Sequence, residues 1–226
     1  GVQTCALPIY GSMGSMSVPL VVFLHGLGRT PQFWQDQVSA LPPGTRAVAP
    51  WLDGLRPGGS DGFELTRAAD AVLGQLNRFG VDQVALVGSG LGASVAVAAA
   101  GRSPAAVSHL VLTDLLPRTA KLAGGLQRLA VRAMPTAQLA EAGLDRGKML
   151  AMMKASASVD LRALLPQVTA QTLLLGGSGN PAGVTAAREL AAGIAGARVE
   201  VIGRAGGSVP TEAPQEFNQL LYDFLA

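Results

Sequence analysis

Six short apolar runs, most of them rich in β-branched residues or leucine, recur along the chain with helix-patterned stretches between them. No other feature restricts the fold as much. The runs are PLVVFL (19–24), TRAVAP (45–50), QVALVG (83–88), HLVLTD (109–114), QTLLLG (171–176) and ARVEVI (197–202). Continuous apolar runs of this length suit strands covered on both faces, since a strand with one wet face alternates apolar and polar residues. Between them, Leu65, Ala68, Ala69, Val72, Leu76 and Phe79 fall on one helical stripe, and Phe217, Leu220, Leu221 and Phe224 repeat the spacing near the C-terminus. Strand and helix in alternation predict an α/β fold: about six parallel strands with helices on both faces.

A chain of 226 residues that is 49% hydrophobic can bury one substantial core, so residues 17–226 are expected to form one domain. An insertion at 115–170 separates the fourth and fifth runs and carries Met134, Met149, Met152 and Met153. It is expected to form a small helical lid over the carboxyl edge of the sheet, where open α/β folds bind ligands. Residues 1–16, GVQTCALPIYGSMGSM, have no periodicity and end in a repeated GSM, which fits a vector remnant or a translated sequencing adapter. The net charge of +2 gives no electrostatic footprint for nucleic acid or an anionic membrane. The lone cysteine, Cys5, has no partner for an internal disulfide and no metal-ligand spacing around it. Together with the lack of a basic segment leading into an apolar run, this predicts a cytoplasmic protein with no cofactor, no metal and a small-molecule ligand under the lid.

The stretch VALVGSGLGASVAVAAA (84–100) passes from β-branched residues through glycines into an alanine-rich helix. Gly88 to Ala93 fits G-x-G-x-x-A, and Asp114 ends the next run at a separation suited to a ribose contact, so a dinucleotide loop is one reading. Such a loop ordinarily opens its domain, whereas here two strands precede it. A second reading explains those strands. VVFLHGLGRTPQFW, APWLDG, VALVGSGLGA, VSHLVLTD, VTAQTLLLGGSGNP and VIGRAGGSVPTEAPQEFNQLLYDFL, in this order across residues 19–226, resemble the α/β-hydrolase superfamily.

The resemblance implies a strand-elbow-helix turn of the form G-x-S-x-G, with the nucleophile in strained backbone and small residues two positions either side. Gly88 and Gly92 are the small residues, and the nucleophile position is Gly90. The same resemblance places Asn180 on the acid and Gly207 on the histidine, with Glu212 and Pro214 in register. The chain has two histidines: His25 belongs to the His-Gly loop, where it is expected to shape the turn, and His109 lies near the amino edge of the sheet. Making Ser89 the nucleophile puts Val87 and Leu91 where small residues are needed, and Ser94 falls inside the helix. Asp114 is a candidate stand-in acid, though without a histidine to orient, a solvated strand-end carboxylate or a helix cap is the expected role. Asp53 is expected to be a loop residue, and Trp34 and Trp51 to pack near the pocket. By resemblance, the oxyanion hole would use the backbone N–H groups of Leu27, after His25-Gly26, and Leu91, at a helix N-terminus that favours negative charge.

The expected function is therefore a pseudoenzyme or non-hydrolytic protein that binds a small carbonyl-bearing or anionic ligand at this backbone site. The alternatives are a weak or atypical, esterase-like serine hydrolase and a dinucleotide-binding protein.

Overall fold

The computed structural model describes residues 18–56, 62–115 and 160–226, with residues 147, 150, 151 and 154 besides. Its six strands form one sheet: β1 (Val21–Leu24), β2 (Ala47–Val48), β3 (Val84–Ser89), β4 (Val107–Thr113), β5 (Gln171–Gly177) and β6 (Arg198–Ile202). They lie in the order β2-β1-β3-β4-β5-β6, and every neighbouring pair is parallel. Each apolar run became a strand. The TRAVAP run forms only two ladder residues at the sheet edge, flanked by Pro42, Pro43 and Pro50, which have no N–H to donate to a ladder. β3 is central, in register with Leu24 of β1 on one side and Leu112 of β4 on the other through Gly88.

Among the described residues six α-helices are present: α1 (Gln35–Ser39), α2 (Leu65–Phe79), α3 (Leu91–Arg102), α4 (Pro181–Ala191), α5 (Val209–Glu212) and α6 (Pro214–Leu225). Alternate residues of each strand point to opposite faces, and two cores result. Leu20, Val22, Leu24, Leu86, Leu110, Leu112 and Leu174 pack with α2 and α3 on one face. Val21, Phe23, Ala85, Val87, Val111, Leu173 and Leu175 pack with Trp34 and α6 on the other. The predicted stripes are the buried faces of α2 and α6: Ala68, Ala69 and Val72 on the first, Phe217, Leu221 and Phe224 on the second. α2 starts at Glu64, whose carboxylate accepts from the Thr66 and Arg67 N–H groups, and stops at Gly80 in left-handed backbone at φ 62°, a conformation glycine adopts without a Cβ penalty. α3 is buried nearly all round because it crosses the sheet centre with α2 outside it.

Trp34 is a core residue. It is fully buried in the second core, with its ring centroid 5.3 Å from Phe23 and 6.0 Å from Phe217. Of the expected lid, Met134, Met149, Met152 and Met153 lie outside the described residues. Its last stretch buries Leu165, Val168 and Ala170 in the α2/α3 core. Among the described residues no helix is long and apolar enough to cross a membrane.

Phe217 is wholly buried between the sheet and Trp34, so Phe217→Ala is expected to destabilise the fold by about 3–5 kcal/mol, the range for truncating a core aromatic. Urea unfolding followed by tryptophan fluorescence measures it; a loss below about 1 kcal/mol contradicts this packing.

Candidate functional site

The turn from β3 into α3 is closely packed on both sides of its apex. Gly90 caps the helix with φ 57° and ψ −114°, positive-φ backbone that other residues adopt at a cost of about 1–3 kcal/mol. Its N–H donates to the Thr113 carbonyl at 3.0 Å, tying the turn to the end of β4. The glycines on either side are small for steric reasons. A Cβ at Gly88 would stand 2.7 Å from the Ala93 N and Cα atoms, and one at Gly92 would stand 2.1 Å from the Leu24 carbonyl oxygen. At Gly90, by contrast, the nearest atoms to a Cβ are the Asp114 carbonyl oxygen at 3.8 Å and the Gly26 Cα at 3.9 Å. The position is backbone-strained but sterically open.

The loop after β1 runs directly beside this turn. A Cβ at Gly26 would lie 3.2 Å from the Ser89 carbonyl oxygen. His25 fixes the loop: Leu52 N–H donates to its Nε2 at 3.2 Å, which leaves Nδ1 as the protonated nitrogen, donating to the Gly26 carbonyl at 3.0 Å. The Trp51 ring meets His25 edge-on at 5.3 Å. Burial pushes the His25 pKa down, partly offset by the Gly26 hydrogen bond, so the imidazole is a neutral brace with both nitrogens engaged. Among the described residues, the Leu27 N–H is paired with no acceptor, and the Leu91 N–H opens its helix without an intrahelical partner. His109 is in register with Ala85 near the amino end of the sheet, edge-on to Phe224 at 5.5 Å. It lies on the opposite edge from the turn.

Asn180 and Gly207 sit on adjacent loops at the carboxyl edge. Asn180 caps α4, its Oδ1 accepting from the Gly183 N–H at 3.1 Å. The Gly179 N–H donates to the Ala205 carbonyl at 2.8 Å, joining this loop to the one that carries Gly207. Gly207 is exposed, and a Cβ there would meet nothing within 4 Å. Glu212 shapes the loop around it by accepting from the N–H groups of Gly206 and Ser208, the latter at 3.1 Å.

Of the two roles expected for Asp114, solvated strand-end carboxylate or helix cap, the structure shows the second. Asp114 is half-buried at φ 53° and accepts from Ser89 Oγ at 2.7 Å, Thr113 Oγ1 at 3.2 Å and the Val209 N–H at 3.0 Å. The last bond makes it a cap for α5, contributed from another part of the chain. Burial pushes its pKa up, opposed by these hydrogen bonds and by the nearby Arg29 charge. Ser89, only 5% exposed, is spent on Asp114, and Ser94 lies within α3. Asp53 is paired with Arg67. Sequence reasoning did not pick out Arg29 and Ser208: the Arg29 guanidinium lies 4.9 Å from the Phe33 ring centroid and donates to Ser208 Oγ at 3.3 Å. Nothing in the local sequence of either residue announces a bond across 179 positions.

The model of the alpha/beta hydrolase family matches residues 21–220. A pimeloyl-[acyl-carrier protein] methyl ester esterase from Aromatoleum aromaticum is 36% identical over 102 residues, which are 45% of this chain and 39% of that protein, so the match spans well under half of the relative's length. The fold is similar to that of an enol-lactonase from Burkholderia xenovorans, with TM-score 0.76, 21% identity and 92% of each chain covered. It is also similar to a bromoperoxidase from Bacillus anthracis, with TM-score 0.81, 18% identity and coverage of 93% of this chain and 92% of that one. NosK from Streptomyces actuosus superimposes with TM-score 0.74 at 26% identity, covering 92% and 97%.

Two outcomes check this geometry. Gly92→Ala, whose Cβ would stand 2.1 Å from the Leu24 oxygen, is expected to cost more than the roughly 1–3 kcal/mol typical of overpacking, whereas Gly90→Ala loses about 1–3 kcal/mol to backbone strain alone; paired urea titrations give the order. Because the folded-state pKa of His25 is lowered, the unfolded chain binds the proton first. Stability from this residue is therefore full above its ordinary pKa of about 6.5 and is lost as pH falls towards the lowered value. Stability measured between pH 7.5 and 5 should fall in the unmodified protein, and less steeply in His25→Asn.

Proposed function

Because the chain belongs to the alpha/beta hydrolase family, we propose that Gly90, Asn180 and Gly207 stand at the family's nucleophile, acid and base positions. On this reading the protein binds a small carbonyl-bearing or anionic molecule there without hydrolysing it. The observation that carries the proposal is the place of the two histidines. His25 has both ring nitrogens engaged in bracing a loop, and His109 lies at the far edge of the sheet. A serine hydroxyl at neutral pH needs a base to take its proton, and neither imidazole can serve as one.

The backbone supplies what remains. Leu27 and Leu91 would direct their N–H groups at a ligand oxygen, with His25 and Gly26 holding the first donor in place. Backbone donors fixed in this way stabilise a carbonyl oxygen or an anion without reorganising. The space beyond Gly90 and Gly207 is where the two missing side chains would otherwise stand. A carbonyl-bearing ligand is supported by the partial relative, named for its action on a methyl ester. The dinucleotide reading is disfavoured: the closeness permitted by Gly88 and Gly92 is taken up by the chain's own backbone, and the Asp114 carboxyl is occupied by Ser89 and Val209. A weak hydrolase using Ser89 is disfavoured by the burial of that hydroxyl.

Labelling with a fluorophosphonate probe tests the reading. The unmodified protein is expected to remain unlabelled and to show no burst with an activated ester; any residual turnover stays within the roughly 10³–10⁴-fold over water that a site without its triad retains. Gly90→Ser, Asn180→Asp and Gly207→His combined should give both labelling and a burst, and Gly90→Ser alone should give little. Stoichiometric labelling of the unmodified chain at Ser89 or Ser94 overturns the proposal.

A further inference from the structure

Four segments of the candidate site converge on one carboxyl group. Asp114 Oδ2 accepts from Ser89, the residue immediately before Gly90, and Oδ1 accepts from the Val209 N–H, two residues after Gly207. Thr113 Oγ1 adds a bond from the end of β4, and Arg29, from the loop after β1, faces the same group with its charge. We propose that Asp114 is a positioning residue that holds the Gly207 loop against the turn at Gly90 and so sets the width of the ligand site between them. The existence of a ligand site rests on the function proposed above; the connection between the two loops does not.

The other bonds of the loop cannot do this. The pair from Glu212 to Gly206 and Ser208 lies within residues 206–212, fixing the loop's shape but not its place on the sheet. Gly179 anchors the loop at Ala205, and the fully buried Gln37 anchors it beyond the site at the Pro210 carbonyl. Among the described residues, the side chains from outside the loop that hydrogen-bond to residues 206–209 are Asp114, through the Val209 N–H, and Arg29, through Ser208 Oγ at 3.3 Å; the Val209 side chain adds apolar packing in the second core. The Asp114 bonds are the shorter and less exposed of the two connections. The backbone of Asp114 supports the same role. At φ 53° it occupies a region that non-glycine residues adopt at a cost, and such a conformation persists only where its surroundings over-determine it. Three hydrogen bonds to one carboxyl supply that constraint.

Two substitutions separate the carboxyl from the backbone. Asp114→Gly removes the side chain yet suits φ 53°, and Asp114→Asn keeps an acceptor for Val209 and gains a donor for Ser89. In the otherwise unmodified protein, amide exchange at Val209, read by NMR, should accelerate about tenfold or more in Asp114→Gly, as loss of a charge-assisted hydrogen bond implies, and stay within roughly threefold in Asp114→Asn, whose amide keeps that bond. In the background of Gly90→Ser, Asn180→Asp and Gly207→His, Asp114→Gly should lower kcat on an activated ester by about tenfold or more with little change in KM, and Asp114→Asn should retain most of it, because the geometry and not the substrate contact is disturbed. Unchanged Val209 exchange in Asp114→Gly overturns the proposal. So does an Asp114→Asn variant as impaired as Asp114→Gly, which would make the negative charge, and not the placement of the loop, the requirement. If the triple variant is inert before Asp114 is touched, the failure belongs to the triad assignment, and Val209 exchange alone decides the role of Asp114.

Discussion

The first turn of α3 lies on the end of β1 with no side chain between them, and the rest of the site depends on that contact. β1 and β3 are hydrogen-bonded neighbours in register at Leu24 and Gly88. A helix that leaves β3 through a one-residue turn must pass over the end of β1 at once. Gly92 is the point of closest approach, with room for a hydrogen but not a methyl group beside the Leu24 carbonyl. Any larger residue there would lift the helix and carry the Leu91 N–H away from the loop of His25, Gly26 and Leu27. The same contact closes the core over α3.

This accounts for the shape of the turn whatever residue stands at its apex. In a hydrolase the strained residue at its apex is usually explained by the chemistry its side chain performs. Here Gly90 holds φ 57° and ψ −114° with no side chain to present. Glycine lowers the strain of the conformation, but the conformation itself is imposed by Gly88 and Gly92 packing on the chain and by the bond from Gly90 N–H to Thr113. The turn is a consequence of how a parallel sheet hands its central strand to a buried helix, so its presence says nothing by itself about catalysis. The histidines carry the functional argument for that reason.

Four strands, β1, β3, β4 and β5, were legible in the sequence because doubly covered strands must be continuously apolar, a signal that survives without knowing which strand pairs with which, whereas the edge strands β2 and β6 are partly exposed. All six runs became strands, and the stripe of α2 ended at the glycine a left-handed cap requires. Gly88 and Gly92 were legible as sites of close approach. What the sequence concealed was partnership across long separations. Asp114 read equally as a solvated strand-end carboxylate or a helix cap because its partner, the Val209 N–H, is 95 positions away and belongs to the backbone, which leaves no trace in residue identity. Arg29 and Ser208 were hidden for the same reason.

His25 has a structural task of its own, independent of any chemistry at the turn. Its ring joins the first loop to the Leu52 N–H, so its removal would leave a buried donor unpaired and cost about 1–3 kcal/mol whether or not any chemistry occurs nearby. A side chain at Gly207 would stand in open space, and one at Asn180 serves mainly to cap a helix, a task that aspartate and asparagine perform about equally well. The fold therefore constrains the three kinds of position unequally. The brace and the close-packed glycines are tied to stability by packing, Gly90 by its positive φ and Asn180 by its helix cap, while position 207, exposed and open, is tied least.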